Sequence, residues 1–380
     1  MHFFILSIFW LLIFFSFIYI LVILTITIGW FRIRGFKSIQ TIALPNVSIV
    51  IAVRNEQKNI KKILTDLIYQ DYPLDQLEVL IVNDHSDDDT VKRVQIFKDK
   101  NKNINIQLAH SSGIGKKEAI REGIHKAAYG VIVTTDGDCS FGVGWLRRMV
   151  EYYLLKGSRL VVGPVVYLEK KNLLQKFYTL DFMSLVASSA GSLGVGLPLM
   201  ANGANLLFTK QTFEDVIHGQ SGSSFASGDD VFLLHAVSKK YGASSVNFIK
   251  DPLSIVTTTP PDNFKSFLSQ RKRWASKATA YRSWWPVLVS VSVFGLNLML
   301  VLSFLATFLK LWFLVIFGLF VLLKTLIDFP LLQSFSEFSN RKKVIPYVLL
   351  FGFLYPFYIV FTAVPSFFFR FSWKGRNNVK

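Results

Sequence analysis

The chain is 380 residues long, 51% of them hydrophobic and 36 of them phenylalanine, which is too apolar for an ordinary soluble domain. Its formal net charge of +17 gathers beside apolar segments (Arg32, Arg34, Lys37; Arg341, Lys342, Lys343), the pattern of cytoplasmic membrane flanks rather than of a nucleic-acid partner. The lone Cys139 excludes an internal disulfide and suits a reducing compartment.

Phe3 to Ile28 is nearly free of charge and exceeds the roughly 20 residues that span a bilayer. Neither a basic n-region nor a small-residue cleavage site accompanies it, so it reads as a retained anchor. Val47 to Val53 then reads as a buried parallel strand ending at Arg54-Asn55-Glu56, followed by Ile60, Ile63, Leu64, Leu67 and Ile68 at helical spacing. Val79 to Val82 forms a second strand closed by Asn83-Asp84. Ile104 to Leu108 and Val131 to Val133 repeat the theme, with a helical segment from Lys116 to Ala128 between them. The alternation predicts an α/β domain with a doubly wound, mostly parallel sheet. Ligands of such sheets bind beyond the carboxyl ends of the strands, where Asp84 and Asp136 stand.

Beyond Ser140 the pattern loosens. Leu160 to Pro164 reads as a strand, Phe177 to Leu199 as a weakly polar, small-residue segment, and Pro198 to Asn205 as a loop entering a strand at Leu206. Residues 283–286 (Ser-Trp-Trp-Pro) mark a boundary with interfacial tryptophans. Three apolar stretches follow: Val287 to Phe308, Leu311 to Leu332 and Val344 to Phe369. The expected organisation is an anchor at 1–30, an α/β domain at 31–283 and a membrane region at 284–380. Pro346, Pro356 and Pro365 leave the last stretch open between a crossing and a re-entrant or interfacial segment. Three crossings would place the C-terminus outside, whereas Arg370, Lys374, Arg376 and Lys380 argue for inside. Asp328 is the lone acid of these stretches, and Lys310 and Lys324 read as helix-end or snorkelling residues.

Thr134-Thr135-Asp136-Gly137-Asp138 follows a buried strand directly. The intervening glycine lets the backbone turn sharply and bring a carboxylate to a metal that bridges a diphosphate, as magnesium is held. Together with Asn55-Glu56, Asp84 in Asn83-Asp84-His85-Ser86, Gly115-Lys116, the pair Asp229-Asp230, and Gln270-Arg271-Lys272-Arg273-Trp274, this series resembles the membrane-bound family 2 glycosyltransferases. That family includes cellulose, chitin and hyaluronan synthases and ceramide glucosyltransferases. The resemblance covers roughly residues 45–280, and the motifs occur in the family's order.

The resemblance implies a GT-A fold and an inverting, metal-dependent hexosyltransferase in a bacterial cell membrane, its catalytic domain cytosolic. Glu56 and Asp84 would contact the nucleoside and Lys116 (or its neighbour Lys117) the donor. Asp138 would ligate Mg2+ or Mn2+, supported by Asp136. Asp230 would be the general base, taking the proton of a sugar hydroxyl as the new bond forms, with Asp229 in place of the family's usual glutamate. Arg273 would neutralise the departing diphosphate with its donor fork, Gln270 would add hydrogen bonds, and Trp274 would offer a flat face to the acceptor. Plainer readings stand beside these: a helix-start acid at Glu56, a solvated lysine at 116, a helix cap at 229–230, an interfacial basic segment at 270–274, and ordinary turn chemistry at Ala201 to Asn205. The donor implied is a nucleotide-sugar, a UDP-sugar foremost. Few membrane segments favour a lipid or lipid-linked acceptor over a growing polymer, unless an oligomer or a membrane partner completes a channel. A non-catalytic nucleotide-binding scaffold is the remaining alternative.

Overall fold

The computed structural model describes residues 2–38, 43–217, 229–275, 283–368, 372–373 and 376–377. In chain order the helices are α1 (His2–Arg32), α2 (Ile60–Ile68), α3 (Thr90–Lys100), α4 (Lys116–Lys126), α5 (Trp145–Lys156), α6 (Leu173–Gly194), α7 (Lys210–Ile217), α8 (Asp229–Tyr241), α9 (Phe264–Ala275), α10 (Trp284–Ala306), α11 (Trp312–Phe338) and α12 (Val348–Phe368). The chain folds into two compact units that interleave in sequence: 33–168 with 200–259, and 1–32 with 169–199 and 260–380. Residues 169–199 and 260–275, expected within one contiguous α/β domain, thus fall in the unit of the apolar helices.

The first unit carries the strands β1 (Val47–Val53), β2 (Leu77–Asn83), β3 (Asn105–His110), β4 (Val131–Asp136), β5 (Ser140–Phe141), β6 (Leu160–Val162), β7 (Val165–Tyr167), β8 (Leu206–Thr209), β9 (Val246–Phe248) and β10 (Val256–Thr258). Seven of them form one sheet in the order β3-β2-β1-β4-β8-β6-β9, and β5, β10 and β7 form a small second sheet. The first four strands of the large sheet run parallel, as their apolar runs predict, and β8 inserts antiparallel between β4 and β6. Strand β2 is buried along its whole length and β1 almost so, as expected of strands covered on both faces. Register sets the edge. Val53 pairs with Asn83 and Ala52 with Asp136, so β1, β2 and β4 end level and their loops leave the sheet side by side.

Among the described residues of the second unit four segments are long and apolar enough to cross a membrane: Leu6–Arg32, Trp284–Ala306, Trp312–Phe338 and Lys342–Pro365. The last is a 3-10 turn running into α12, and it stays helical through Pro356 and Pro365. Arg370, Lys374 and Lys380, on which the inside-or-outside question rested, lie outside the described residues. The weakly polar 177–199 stretch is most of α6, and it packs against α1 at paired glycines. A Cβ on Gly191 would stand 2.2 Å from the Ile26 carbonyl oxygen, so the backbones approach as only small residues permit.

Lys324 does not snorkel. It is 6% exposed in the middle of α11, its Nζ lies 2.6 Å from Asp328 Oδ2, and Asp328 Oδ1 accepts from the Tyr19 hydroxyl at 2.6 Å. The charge is neutralised by a partner one turn away instead of reaching for water.

Candidate active site

The loops after β1 and β2 are zipped together. Asn55 (φ 56°) and His85 (φ 54°) both adopt the left-handed conformation that non-glycine residues seldom take. The Asn55 amide donates to Ser86 Oγ at 3.1 Å, Asp87 N to Asn55 Oδ1 at 3.0 Å, and Glu56 N to Thr90 Oγ1 at 2.8 Å. Such strain persists only where its surroundings impose it, and it concentrates at functional sites. Glu56 itself accepts from Asn59 Nδ2 at 2.8 Å.

Asp84, at the carboxyl end of β2, is 1% exposed. Its Oδ1 accepts from the Gly115 amide at 2.9 Å and faces His85 Nδ1 at 3.3 Å. The carboxylate thus ties the β2 end to the loop that opens α4. Glu122 holds the same loop from the other side, accepting from Ser112 N at 2.8 Å and Gly113 N at 3.0 Å, and those bonds pull its carboxyl down to about 2. Lys116 is thereby aimed at the end of β4, where its Nζ lies 2.5 Å from Asp136 Oδ1. Burial works to lower the Lys116 ammonium pKa, yet Asp136, with Asp230 and Cys139 adding, leaves it raised.

Gly137 lets the Asp-Gly-Asp turn pack closely on the end of β1, where a Cβ would stand 3.1 Å from Glu56 Cγ and Val53 Cγ1. Asp138 follows, half-buried, with Oδ2 accepting from Thr258 Oγ1 at 2.9 Å. Its carboxyl is pushed up to about 6 by burial and by the charges of Asp136 and Glu56, against the Thr258 hydroxyl and Lys116. A cation would relieve that excess of negative charge. Among the described residues no three His, Cys, Asp or Glu side chains group closely enough to cage a metal. The pair Asp136 and Asp138 instead suits a divalent ion that takes one or two carboxylates and completes its shell with phosphate oxygens and water.

Asp230 opens α8. Its Oδ2 accepts from Gly203 N at 3.0 Å and its Oδ1 from Val231 N at 2.9 Å, while the Gly203 carbonyl accepts from Thr134 Oγ1 at 2.8 Å. The antiparallel insertion of β8 beside β4 brings residues 202–205 to the same edge. Asn205 has a structural place in that loop. It is fully buried, donating to the carbonyls of Pro164 and Ser254 at 2.9 Å and accepting from Trp145 Nε1 at 3.0 Å. The Asp229 side chain lies outside what the structure describes.

The structure therefore gathers Glu56, Asp84, Lys116, Asp136, Asp138 and Asp230 in one unit. Gln270, Arg273 and Trp274 belong to the other, on α9. There the best-anchored member of the motif is one that sequence reasoning passed over. Arg271 is 5% exposed, with Nε 2.5 Å from Asp181 Oδ2 on α6 and Nη1 donating to Gln270 Oε1 at 2.6 Å. Its guanidinium carbon lies 4.6 Å from the Phe267 ring centre and 4.4 Å from that of Trp274. Arg273 and Trp274 are half-buried. The signal that could have found the pair was the single acid, Asp181, inside an otherwise uncharged 22-residue helix from which only Lys176 also departs.

Sheet, level loop ends and carboxylates together define the candidate site, and comparison with known proteins gives the family. The profile described as Glycosyl transferase family 2 matches residues 48–201, and that described as Glycosyl transferase family group 2 matches residues 131–327, just over half of the chain. The chain belongs to the family 2 glycosyltransferases, and its mostly parallel sheet is that of the GT-A fold. Glycosyltransferase AglE of Haloferax volcanii is 35% identical over 128 residues, 34% of this chain and 42% of that one. Poly-beta-1,6-N-acetyl-D-glucosamine synthase of Staphylococcus epidermidis is 24% identical over 249 residues, 64% of this chain and 57% of that one. The chain thus spans about half the length of the curated relatives it matches. Mannosyltransferase PcManGT from Pyrobaculum calidifontis, solved in complex with GDP-Man and Mn2+, superimposes with a TM-score of 0.59. The match covers 93% of this chain and 99% of that one at 16% identity, a likeness of fold.

Proposed function

We propose that the protein moves a sugar from a nucleotide-sugar to a lipid or lipid-linked acceptor, in a divalent-metal-dependent reaction beside a membrane that its apolar helices cross. In this reading 1–30 is the anchor, 31–283 the transferase region on the cytosolic side, and 284–380 the membrane region. One observation carries the proposal: Lys116, Asp136, Asp138 and Asp230 lie close enough for Asp136 and Asp230 to act on the Lys116 charge, and for Asp136 to act on Asp138. The solved relative bound to GDP-Man and Mn2+ supports both the donor class and the metal.

Asp138, with Asp136, would hold the ion, which supplies charge neutralisation to the donor diphosphate. Glu56 and Asp84 border the nucleoside, and Lys116 keeps Asp136 oriented while adding positive charge near the phosphates. Asp230 accepts the proton of the acceptor hydroxyl. The hydroxyl oxygen bonds to the anomeric carbon from the face opposite the diphosphate, the bond from that carbon to the diphosphate oxygen breaks, and the configuration inverts. The Gly203 and Val231 amides hold the Asp230 carboxylate in place. Gln270 and Arg273 stabilise the leaving diphosphate and Trp274 faces the acceptor, as the family resemblance implies.

A second reading, a processive polysaccharide synthase, draws on the printed name of the Staphylococcus relative. Product analysis separates the two. Purified protein in native-lipid nanodiscs is given radiolabelled UDP- and GDP-sugars with Mg2+ or Mn2+. A single labelled species extracting with the lipids supports the first reading. A ladder or insoluble polymer supports the second, with an oligomer or membrane partner building the path. Label that stays in the donor with every sugar and metal would overturn both.

A further inference from the structure

The α9 motif carries a residue whose placement the functional reading leaves unexplained. Arg271 points into the helical unit, where Asp181 pairs with it at 2.5 Å and the Tyr355 hydroxyl lies 3.4 Å from the other Asp181 oxygen. Its second contact returns to its own helix. The Nη1 group donates to Gln270 Oε1 at 2.6 Å, and the guanidinium carbon lies over the Phe267 ring on one turn and the Trp274 ring on the next. A flat, forked cation that is paired, hydrogen-bonded and stacked at once has little freedom left.

The chemistry of an amide makes this consequential. Once the Gln270 carbonyl oxygen is engaged by Arg271, what Gln270 presents to any further partner is its NH2 group, a donor. A diphosphate oxygen accepts hydrogen bonds and offers none. The opposite amide orientation would set oxygen against oxygen. The cation under the Trp274 ring likewise fixes the plane of the face that ring presents.

We infer that Arg271, held by Asp181, is the positioning residue of α9, setting the Gln270 amide as a donor and fixing the Trp274 plane. The inference rests on the reading that Gln270 and Trp274 act on donor and acceptor. Arg271 touches neither in this account and works through its two neighbours.

The test uses the full-length protein in native-lipid nanodiscs, reading nucleoside diphosphate release and sugar transfer. Arg271→Lys keeps the charge opposite Asp181 and loses the fork and the flat face. Its kcat should fall by about 10²-fold, the scale of a misplacement near 1 Å, while the donor KM changes little. Gln270→Ala should also lower kcat, and the double variant should lose no more than the worse single, because both changes remove one arrangement. Asp181→Asn/Arg271→Gln removes both charges together, so no lone buried charge endangers the fold, and its kcat should fall with the thermal midpoint kept. Losses that multiply in the Gln270–Arg271 double variant, or wild-type kcat in Asp181→Asn/Arg271→Gln, would overturn the positioning role while the functional reading stands. Wild-type kcat in Gln270→Ala would instead sink the reading of the motif, and the positioning role with it.

Discussion

Charge is handled in opposite ways in the two units. In the sheet unit Glu56, Asp84, Asp136, Asp138 and Asp230 gather with Lys116 among them, and burial together with the charges of Asp136 and Glu56 lifts the Asp138 carboxyl. In the helical unit two acids each have their own cation, Arg271 for the buried Asp181 and Lys324 for the half-buried Asp328, with a tyrosine hydroxyl on the second carboxylate oxygen. In the proposed reading the first arrangement takes a divalent cation from outside. The second is closed, as an apolar surrounding demands. Unbalanced charge marks a place prepared for a ligand, and balanced charge marks a brace.

The largest effect that would break this distinction lies at Asp230. Asp230→Asn keeps the shape and one acceptor oxygen for the Gly203 and Val231 amides, but it cannot take a proton. Transfer should fall by about 10²- to 10⁴-fold, the usual worth of a general base, while calorimetry shows donor binding retained. Equal loss of transfer and binding would make Asp230 a structural acid like those of the helical unit.

Next in size is the brace. Lys324→Met leaves the half-buried Asp328 charged beside Tyr19 without its lysine; removing one member of a fully buried pair costs about 3–5 kcal/mol, which is the upper bound of the expected loss. Lys324→Met/Asp328→Asn removes the charge as well and should recover most of that loss. Chemical unfolding in detergent measures both. If the double variant is as unstable as the single, the pair is not a closed unit.

How much of this was legible in advance follows the same divide. Strands β1, β2 and β4 are apolar runs that stop at polar residues, so Asp84 and Asp136 could be placed at strand ends from periodicity alone. Asp138 came with them through the glycine turn. The contact of Asp230 with Gly203 joins residues 27 positions apart through an antiparallel strand, and no local pattern announces it. Asp181 and Arg271 are 90 positions apart, and α6, which carries Asp181, is buried around most of its circumference, which erases the one-sided pattern that helix reading depends on. Lys324 and Asp328 were the avoidable miss, because their i,i+4 spacing is the sequence sign of a helical ion pair.

The unbalanced site should respond to loss of an acid in the reverse sense. Asp138→Asn removes a charge that Asp136 and Glu56 repel, so without added metal the variant should be more stable than wild type at neutral pH. One pKa unit of relief is worth about 1.4 kcal/mol, which sets the scale of the expected gain in unfolding free energy. The same variant should lose the Mg2+ or Mn2+ dependence of donor binding, read by titrating the metal against a fixed nucleotide-sugar. A destabilised variant would show that Asp138 is held by Thr258 as a structural acid and would remove the physical ground for a cation there.

The smallest effect tests whether the brace is held by its charges or by its hydrogen bonds. Tyr19 lies on α1 and Asp328 on α11, so the 2.6 Å bond between them is a direct polar tie between those two helices. Tyr19→Phe removes the hydroxyl and leaves the Lys324–Asp328 pair and the ring beneath the Lys324 ammonium in place. Hydrogen bonds between membrane helices average about 0.6 kcal/mol, because the separated helices find other partners. A loss near that figure, well below that of Lys324→Met, is expected in the same unfolding assay. A loss as large as that of Lys324→Met would mean the carboxylate is stabilised chiefly by the hydroxyl, and charge balance would no longer separate the two regions.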